Sequence, residues 1–323
     1  MKKFVMTQPV CPQALALLQG KADIFVANDG DPNNYPDRIK DADAIIVRIG
    51  KLDRGAIEKA HNLKVIGRTG VGYDTIDLEA ANERGIPIVI TPGANSLSVA
   101  EHTIALMLAA AKNLIESDTE TRTGNFSSVR SNGKMFEVHG KKAGIIGLGA
   151  IGIETARLCK ALGMDVLGYD PYLPKEKAED RGITYYSDYE SMLGDCDFVS
   201  LHVPLFDTTK NMIAKKQFGM MKKTAVLINC ARAEIVNEAD LIEALESETI
   251  AGAAIDVFEN EPPPQDSPIL RAKNLLCTPH SAAQTREAVI RMHTICVEGC
   301  LAILRGEQIL NVANKDVYQH TRN

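Results

Sequence analysis

Strand-like and helix-like runs alternate along nearly the whole sequence, which predicts an α/β protein built on doubly wound parallel sheets. Two further observations shape that prediction. At Lys141–Asp170 (KKAGIIGLGAIGIETARLCKALGMDVLGYD) a glycine-rich turn separates a short apolar run from an amphipathic one. The length of 323 residues also exceeds what one hydrophobic core organises well, so two domains are expected.

The bulk properties narrow the function classes. Hydrophobic residues make up 45% and charged residues 24%, ordinary values for a globular protein. A net charge of −6 gives no reason to expect nucleic acid or an anionic membrane surface as partner. The longest apolar stretch, Val99–Ala111, is too short for a membrane span and contains Glu101 and His102. The opening residues MKKFVMTQPV run straight into a strand-like pattern without a signal-peptide core. Seven cysteines show no CxxC spacing, so they read as reduced thiols in a cytoplasmic protein, and no metal site is expected.

Taken in order, Lys3–Met6, Ile24–Ala27, Ala44–Val47, Leu63–Ile66 and Ile88–Ile90 read as strands. The runs between them, Gln13–Leu18, Tyr35–Ile39, Gly55–Ala60 and Leu78–Arg84, have helical periodicity. Five such strands predict a small flavodoxin-like sheet. Ligands of open α/β sheets bind beyond the carboxyl ends of strands. Arg48, after the third strand, and the backbone N–H groups of Val71 and Gly72, after the fourth, are therefore candidate substrate contacts.

Thr91-Pro92-Gly93-Ala94-Asn95 breaks the rhythm and marks the first domain crossing. Ser96 or Ser98 can cap a long helix over Val99–Leu114. The weakly periodic Ser117–His139, carrying Arg122, Arg130 and Lys134, reads as a surface arm.

The glycine-rich turn then follows a buried strand, Ala143–Ile146. Gly147 permits a tight turn, Gly149 lets backbone N–H groups approach a pyrophosphate, and Gly152 lets the helix lie close to the strand. The helix N-terminus adds unpaired donors and positive dipole at the phosphates. Asp170 lies 18 residues beyond Gly152, at the end of a second strand, Asp165–Tyr169. There a carboxylate accepts from a ribose 2′-hydroxyl and repels a 2′-phosphate, so NAD is expected rather than NADP. An ordinary βα turn is the competing account, weakened because strand, helix and acid all accompany the glycines.

The remaining strands are Phe198–Val203, Ala225–Ala231, Gly252–Val257 and Leu275–Thr278, with Asp240–Leu245 as one intervening helix. A last helix, roughly Thr285–Leu304, crosses back to complete the first domain. The expected plan is thus a Rossmann-type dinucleotide domain (96–284) inserted in a smaller flavodoxin-like substrate domain (1–95 and 285–323).

Three strand ends of the inserted domain present Arg232, Glu261 and His280. Each alone reads more simply as an ion pair, a solvated loop or a structural histidine. Together, beside a dinucleotide, they match the needs of hydride exchange with a 2-keto acid. Histidine is the side chain whose charge changes near neutral pH, so His280 can give the proton. Glu261 can stabilise its imidazolium, and the Arg232 fork suits a carboxylate. Asp256 is expected to hydrogen-bond the nicotinamide amide. Substrate is expected between these groups and the first domain's Val71-Gly72.

These stretches resemble the D-isomer-specific 2-hydroxyacid dehydrogenase family over nearly the whole chain. The resemblance rests on GRTGVGYDTIDLEAANERGI (Gly67–Ile86), NSLSVAEHT (Asn95–Thr103), GIIGLGAIG (Gly144–Gly152), GYDPY (Gly168–Tyr172), SLHVPL (Ser200–Leu205), INCARAEIV (Ile228–Val236), AIDVFENEP (Ala254–Pro262) and TPHSAA (Thr278–Ala283). It implies catalytic roles for Arg232, Glu261 and His280. It also implies cofactor contacts at Ala150, Ile151, Asp170, Val203, Pro204, Cys230, Ala231, Arg232, Asp256 and His280. A homodimer joined through the cofactor domains, with the Ser117–His139 arm near the interface, is implied as well.

Gly67–Thr103 and Arg48 look most like 3-phosphoglycerate dehydrogenases of the short type, without a C-terminal regulatory domain. Three positions depart from the pattern. Ala233 replaces the glycine usual after the catalytic Arg. Ala150 replaces an Arg that often contacts the pyrophosphate. Ile49 replaces the small polar residue usual after Arg48. The candidate substrates are therefore 3-phosphoglycerate or a smaller acid of the hydroxypyruvate and glyoxylate kind. A formate dehydrogenase would have Gln where Glu261 stands. An NAD(H)-sensing binding protein would keep the same residues, but peptide-docking and basic partner signals are missing.

Overall fold

The structure, a computed structural model, describes residues 1–131 and 133–318. Two compact units emerge: Met1–Asn95 joined by the chain from Gln284 onward, and Ser96–Ala283.

The first unit holds five parallel strands: β1 (Lys2–Met6), β2 (Ala22–Val26), β3 (Ala44–Val47), β4 (Val65–Arg68) and β5 (Ile88–Val89). Their order, β2-β1-β3-β4-β5, is the flavodoxin-like order expected from the sequence. Alternation along each strand sends Val5, Ile45 and Ile66 to one apolar layer, and Phe4, Ile46 and Val65 to the other. The fourth strand starts at Val65 rather than Leu63, whose N–H instead bonds Ala60 O (3.1 Å) behind the preceding helix. The helix Arg286–Leu304, capped by Thr285 Oγ1 on Ala288 N–H (3.2 Å), packs Cys296, Val297 and Cys300 into the second layer.

Gly67 makes that packing close. A Cβ there would lie 2.7 Å from the Sγ atoms of both Cys296 and Cys300, both fully buried. Gly67→Ala is expected to cost about 1–3 kcal/mol through overpacking. Urea unfolding reads this directly, and an unchanged midpoint would show that helix and strand can separate freely.

The second unit holds seven parallel strands: β6 (Lys142–Ile146), β7 (Asp165–Tyr169), β8 (Thr184–Tyr185), β9 (Phe198–Leu201), β10 (Val226–Asn229), β11 (Gly252–Ile255) and β12 (Leu275–Cys277). The order β12-β11-β10-β9-β6-β7-β8 is the doubly wound, Rossmann-type arrangement extended by one strand. Every residue of β9, β10 and β11 is buried, as both faces of a parallel sheet must be covered. The order reverses between β6 and β9. Chain connections leave this point in opposite directions, which opens a crevice at the carboxyl ends of the two strands.

Two local expectations change. The long helix spans Ser96–Ala111, so Ser96 and Ser98 lie inside it, and both are buried. It ends early because Asn113 turns left-handed (φ 47°) and starts a new helix, Leu114–Arg122. The mostly exposed stretch 117–139 takes in the end of that helix and a further one, Phe126–Ser131. Among the described residues, no helix is long and apolar enough to cross a membrane.

Candidate active site

The glycine turn lies at the switch point. Gly147 is left-handed (φ +94°), and a Cβ on it would sit 2.7 Å from the His202 carbonyl carbon and oxygen at the end of β9. A Cβ on Gly152 would lie 1.9 Å from Gly147 O, so helix and turn are in backbone contact. Gly149 faces open space, with nothing within 4 Å of its position for a Cβ, and caps the helix Ala150–Ala161 without a side-chain bond. The first-turn N–H groups at Ala150 and Ile151 precede any intrahelical acceptor. With Ala150 exposed and lacking a guanidinium, those N–H groups are the pyrophosphate donors this turn can offer. The open cradle fits a dinucleotide.

Asp170 belongs to the same turn. Its Oδ2 accepts from Leu148 N–H and its Oδ1 from Tyr172 N–H, each at 2.8 Å. Two backbone donors thus hold the carboxylate still, and each oxygen keeps a further lone pair for a ribose hydroxyl. Asp170→Ala is expected to shrink the ratio of kcat/KM with NAD to that with NADP by about tenfold or more, the scale of a charged hydrogen bond. The ratio is the useful readout because loss of the Leu148 anchor disturbs both cofactors alike. An undiminished ratio would place ribose recognition elsewhere.

Val203 and Pro204 follow β9 on the other lip, the first half-buried and the second exposed. His202 beside them bonds Ser200 Oγ through Nε2 (2.9 Å), and desolvation pushes its pKa down to about 4. It is therefore a neutral brace of the strand end.

Beyond β10, Cys230, Ala231 and Arg232 form a turn braced by a buried residue that the sequence reading missed. Asn229 Nδ2 donates to Arg232 O (2.8 Å), and Asn229 Oδ1 accepts from Ala231 N–H (3.0 Å). Burial pushes the Cys230 thiol up to about 12, so it stays protonated. Ala233 opens the 3-10 helix Ala233–Ile235 and is not among the left-handed residues, so the missing glycine costs no strain. Arg232 Nη1 donates to Ala231 O (2.8 Å), which tethers the guanidinium beside the strand end.

His280 meets Glu261 as expected, with Nδ1 2.7 Å from Oε2. The other carboxylate oxygen, Oε1, accepts from Phe258 N–H (3.1 Å), which fixes the acid that orients the ring. His280 itself is left-handed (φ 51°), a conformation that needs a firm surrounding loop. In the sheet, Asn229 pairs with Ile255, and Ile255 with Cys277. Arg232, the Glu261 turn and His280 therefore leave three adjacent strands on one edge, with strand spacings of about 4.8 Å.

Asp256, expected at the nicotinamide amide, is fully buried and hydrogen-bonded to the loop after β12. Oδ1 accepts from Thr278 Oγ1 (2.5 Å) and Ser281 N–H (2.9 Å), and Oδ2 from Ala282 N–H (2.8 Å). Since the Thr278 hydroxyl gives its proton to Asp256, its oxygen accepts from His102 Nε2 at 3.0 Å. Asp256 thus anchors the loop that carries His280.

In the first unit, Arg48 follows β3. Its N–H donates to Thr7 Oγ1 (3.2 Å), Nη1 to Pro9 O (3.2 Å) and Nη2 to Gln284 Oε1 (3.5 Å). These guanidinium partners are neutral oxygens, so no carboxylate in them cancels the charge. Val71, 40% exposed, and Gly72 lie in the turn after β4. Among the described residues, no group of acids, histidines and cysteines could hold a metal.

Comparison with known proteins agrees with this geometry. Residues 104–282 match the family described as D-isomer specific 2-hydroxyacid dehydrogenase, NAD binding domain. D-3-phosphoglycerate dehydrogenase of Methanocaldococcus jannaschii is 44% identical over 97% of this chain and 60% of its own length. This chain therefore spans about three-fifths of that relative. Glyoxylate reductase of Aeropyrum pernix is 35% identical over 98% of this chain and 96% of its own. The crystal structure of TT0316 protein from Thermus thermophilus superposes with a TM-score of 0.87 at 31% identity, covering 96% and 99% of the two chains. A glycine cradle at the switch point, an acid at the end of the next strand and a family match over the same unit agree: the chain belongs to the D-isomer-specific 2-hydroxyacid dehydrogenases, and its second unit is their NAD-binding domain.

Proposed function

We propose that this chain is an NAD-dependent oxidoreductase interconverting a D-2-hydroxy acid and its 2-keto acid. The observation that carries the proposal is the His280–Glu261 pair, 2.7 Å apart, on the sheet edge that also bears Arg232. Bound NADH supplies the hydride. Arg232 takes the substrate carboxylate with its two-pronged donor face, and in the first unit Val71 and Gly72 are proposed as backbone N–H donors to substrate. Glu261 holds Nδ1 of His280, so Nε2 is the atom that gives a proton to the carbonyl oxygen as it becomes an alkoxide. In the oxidative direction Nε2 takes the hydroxyl proton back.

Arg48, held by neutral oxygens, is proposed to meet a distal anion, which favours 3-phosphoglycerate and phosphohydroxypyruvate. Ile49, 57% exposed next to it, favours instead a smaller acid such as hydroxypyruvate or glyoxylate, because it adds apolar bulk where a phosphate wants donors. A cytoplasmic homodimer is proposed. The helix Leu114–Arg122 has no buried residue, and Leu114, Ile115 and Phe126 are 50%, 60% and 57% exposed, a face suited to a second copy.

The test is NADH consumption with phosphohydroxypyruvate, hydroxypyruvate, glyoxylate and 2-ketoglutarate. A preference of kcat/KM for the phosphorylated acid supports the first substrate, and a preference for the small acids the second. A flat trace with every acid despite NADH binding would overturn the enzymatic reading in favour of a sensor.

A further inference from the structure

The turn proposed to receive the substrate acid is built on Gly70 and Gly72, residues with more backbone freedom than any others. Two backbone bonds hold its near end, and just past Gly72 the Tyr73 carbonyl accepts from Ile76 N–H (2.9 Å). Thr69 N–H bonds Val47 O (3.3 Å), and Thr91 N–H bonds Gly70 O (3.0 Å). Beyond Gly70 the polypeptide leaves the sheet. A pair of N–H groups is an effective anion site only when preorganised, because the binding energy otherwise goes into ordering the loop.

The brace is Arg68, the last residue of β4, paired in register with Val47. Its Nε donates to Gly72 O at 2.8 Å. Its Nη1 donates to Arg48 O and reaches Val47 O at 3.5 Å. One planar guanidinium therefore spans the far end of the glycine turn and the backbone of Arg48, the two elements of this unit assigned to the substrate. The side chain is half-buried and lies against Gly70, where a Cβ would come 3.8 Å from the guanidinium carbon.

We infer that Arg68 is a positioning residue for the substrate: it sets the Val71-Gly72 turn and Arg48 at a fixed separation without touching the acid. The inference rests on the proposed assignment of Val71, Gly72 and Arg48 to substrate binding. Fork geometry is central to it. A lysine ammonium keeps the charge, but being a single point it cannot satisfy both ends in two directions at once.

The experiment compares Arg68→Met, Arg68→Lys and Arg48→Met with wild type, using the keto acid that wild type turns over fastest. Both Arg68 variants are expected to raise KM for the keto acid about tenfold, the effect of loosening a preorganised site. NADH affinity, measured by fluorescence titration, should stay within about twofold, since the cofactor crevice belongs to the other unit. Should Arg68→Met fail to fold, Arg68→Lys carries the test alone.

A lowered melting temperature with unchanged KM would mean that Arg68 only stabilises the unit, and would overturn the inference. Wild-type KM in Arg68→Lys would overturn it too, because charge rather than the fork would then suffice. A raised KM in Arg48→Met with unchanged KM in Arg68→Met would refute the brace while leaving the substrate assignment standing. Unchanged KM in all three would refute both. Absence of turnover in wild type would instead refute the proposed function.

Discussion

His280→Asn is expected to lower turnover of the keto acid by about 10²–10⁴-fold, the usual contribution of a positioned acid. Asparagine is the informative replacement because position 280 is left-handed, at φ 51°. Asn tolerates that conformation better than most residues, whereas Ala adds a backbone penalty unrelated to proton transfer. The amide cannot give a proton, yet it leaves the Asp256 anchors on Ser281 and Ala282 untouched. NADH affinity should stay within about threefold, because the Gly147–Gly152 cradle and Asp170 are not altered. Single-turnover rates with NADH and keto acid supply the measurement. Turnover near that of wild type would remove His280 from the acid role.

Arg232→Ala is expected to cut kcat/KM for the keto acid by about 10³-fold, with KM and kcat both affected. Losing one partner of a desolvated charge pair typically costs 2–5 kcal/mol, and about 4 kcal/mol corresponds to that factor. The Arg232 carbonyl, which accepts from Asn229 Nδ2 at 2.8 Å, belongs to the backbone, so the turn survives the truncation. Arg232→Lys should fall between Ala and wild type, since it keeps charge but not the two parallel donors. Steady-state kinetics across the three proteins tests this order. An unchanged KM in Arg232→Ala would show that the carboxylate is held by something else.

Signals local in sequence carried the cofactor site. Gly147, Gly149 and Gly152 sit within six residues, and the reasons for each glycine are contacts within one strand–turn–helix unit. The His280–Glu261 pair was legible for a related reason. Parallel strands bring successive strand ends to one edge, so residues placed just after β11 and β12 become neighbours wherever the loops wander. Weakly periodic stretches were less legible. The start of Ser117–His139 shows little apolar patterning because the helix Leu114–Arg122, which runs into it, buries none of its residues. Helix periodicity reports burial, and a helix without burial sends no such signal.

Chain order and side-chain chemistry alone determined that this is an α/β protein with parallel sheets, which turn has the glycine spacing of a dinucleotide cradle and which strand ends carry ionisable groups, because period, glycine spacing and strand-end position are properties of short segments. Tertiary structure decided how the polar groups are partnered. Asp256 turned out to anchor Ser281 and Ala282, Asn229 to brace the Arg232 turn, and Arg68 to join Gly72 to Arg48. A carboxylate or guanidinium at a strand end can serve several donors and acceptors of similar strength. The choice among them follows from which backbone groups long-range pairing leaves unsatisfied nearby.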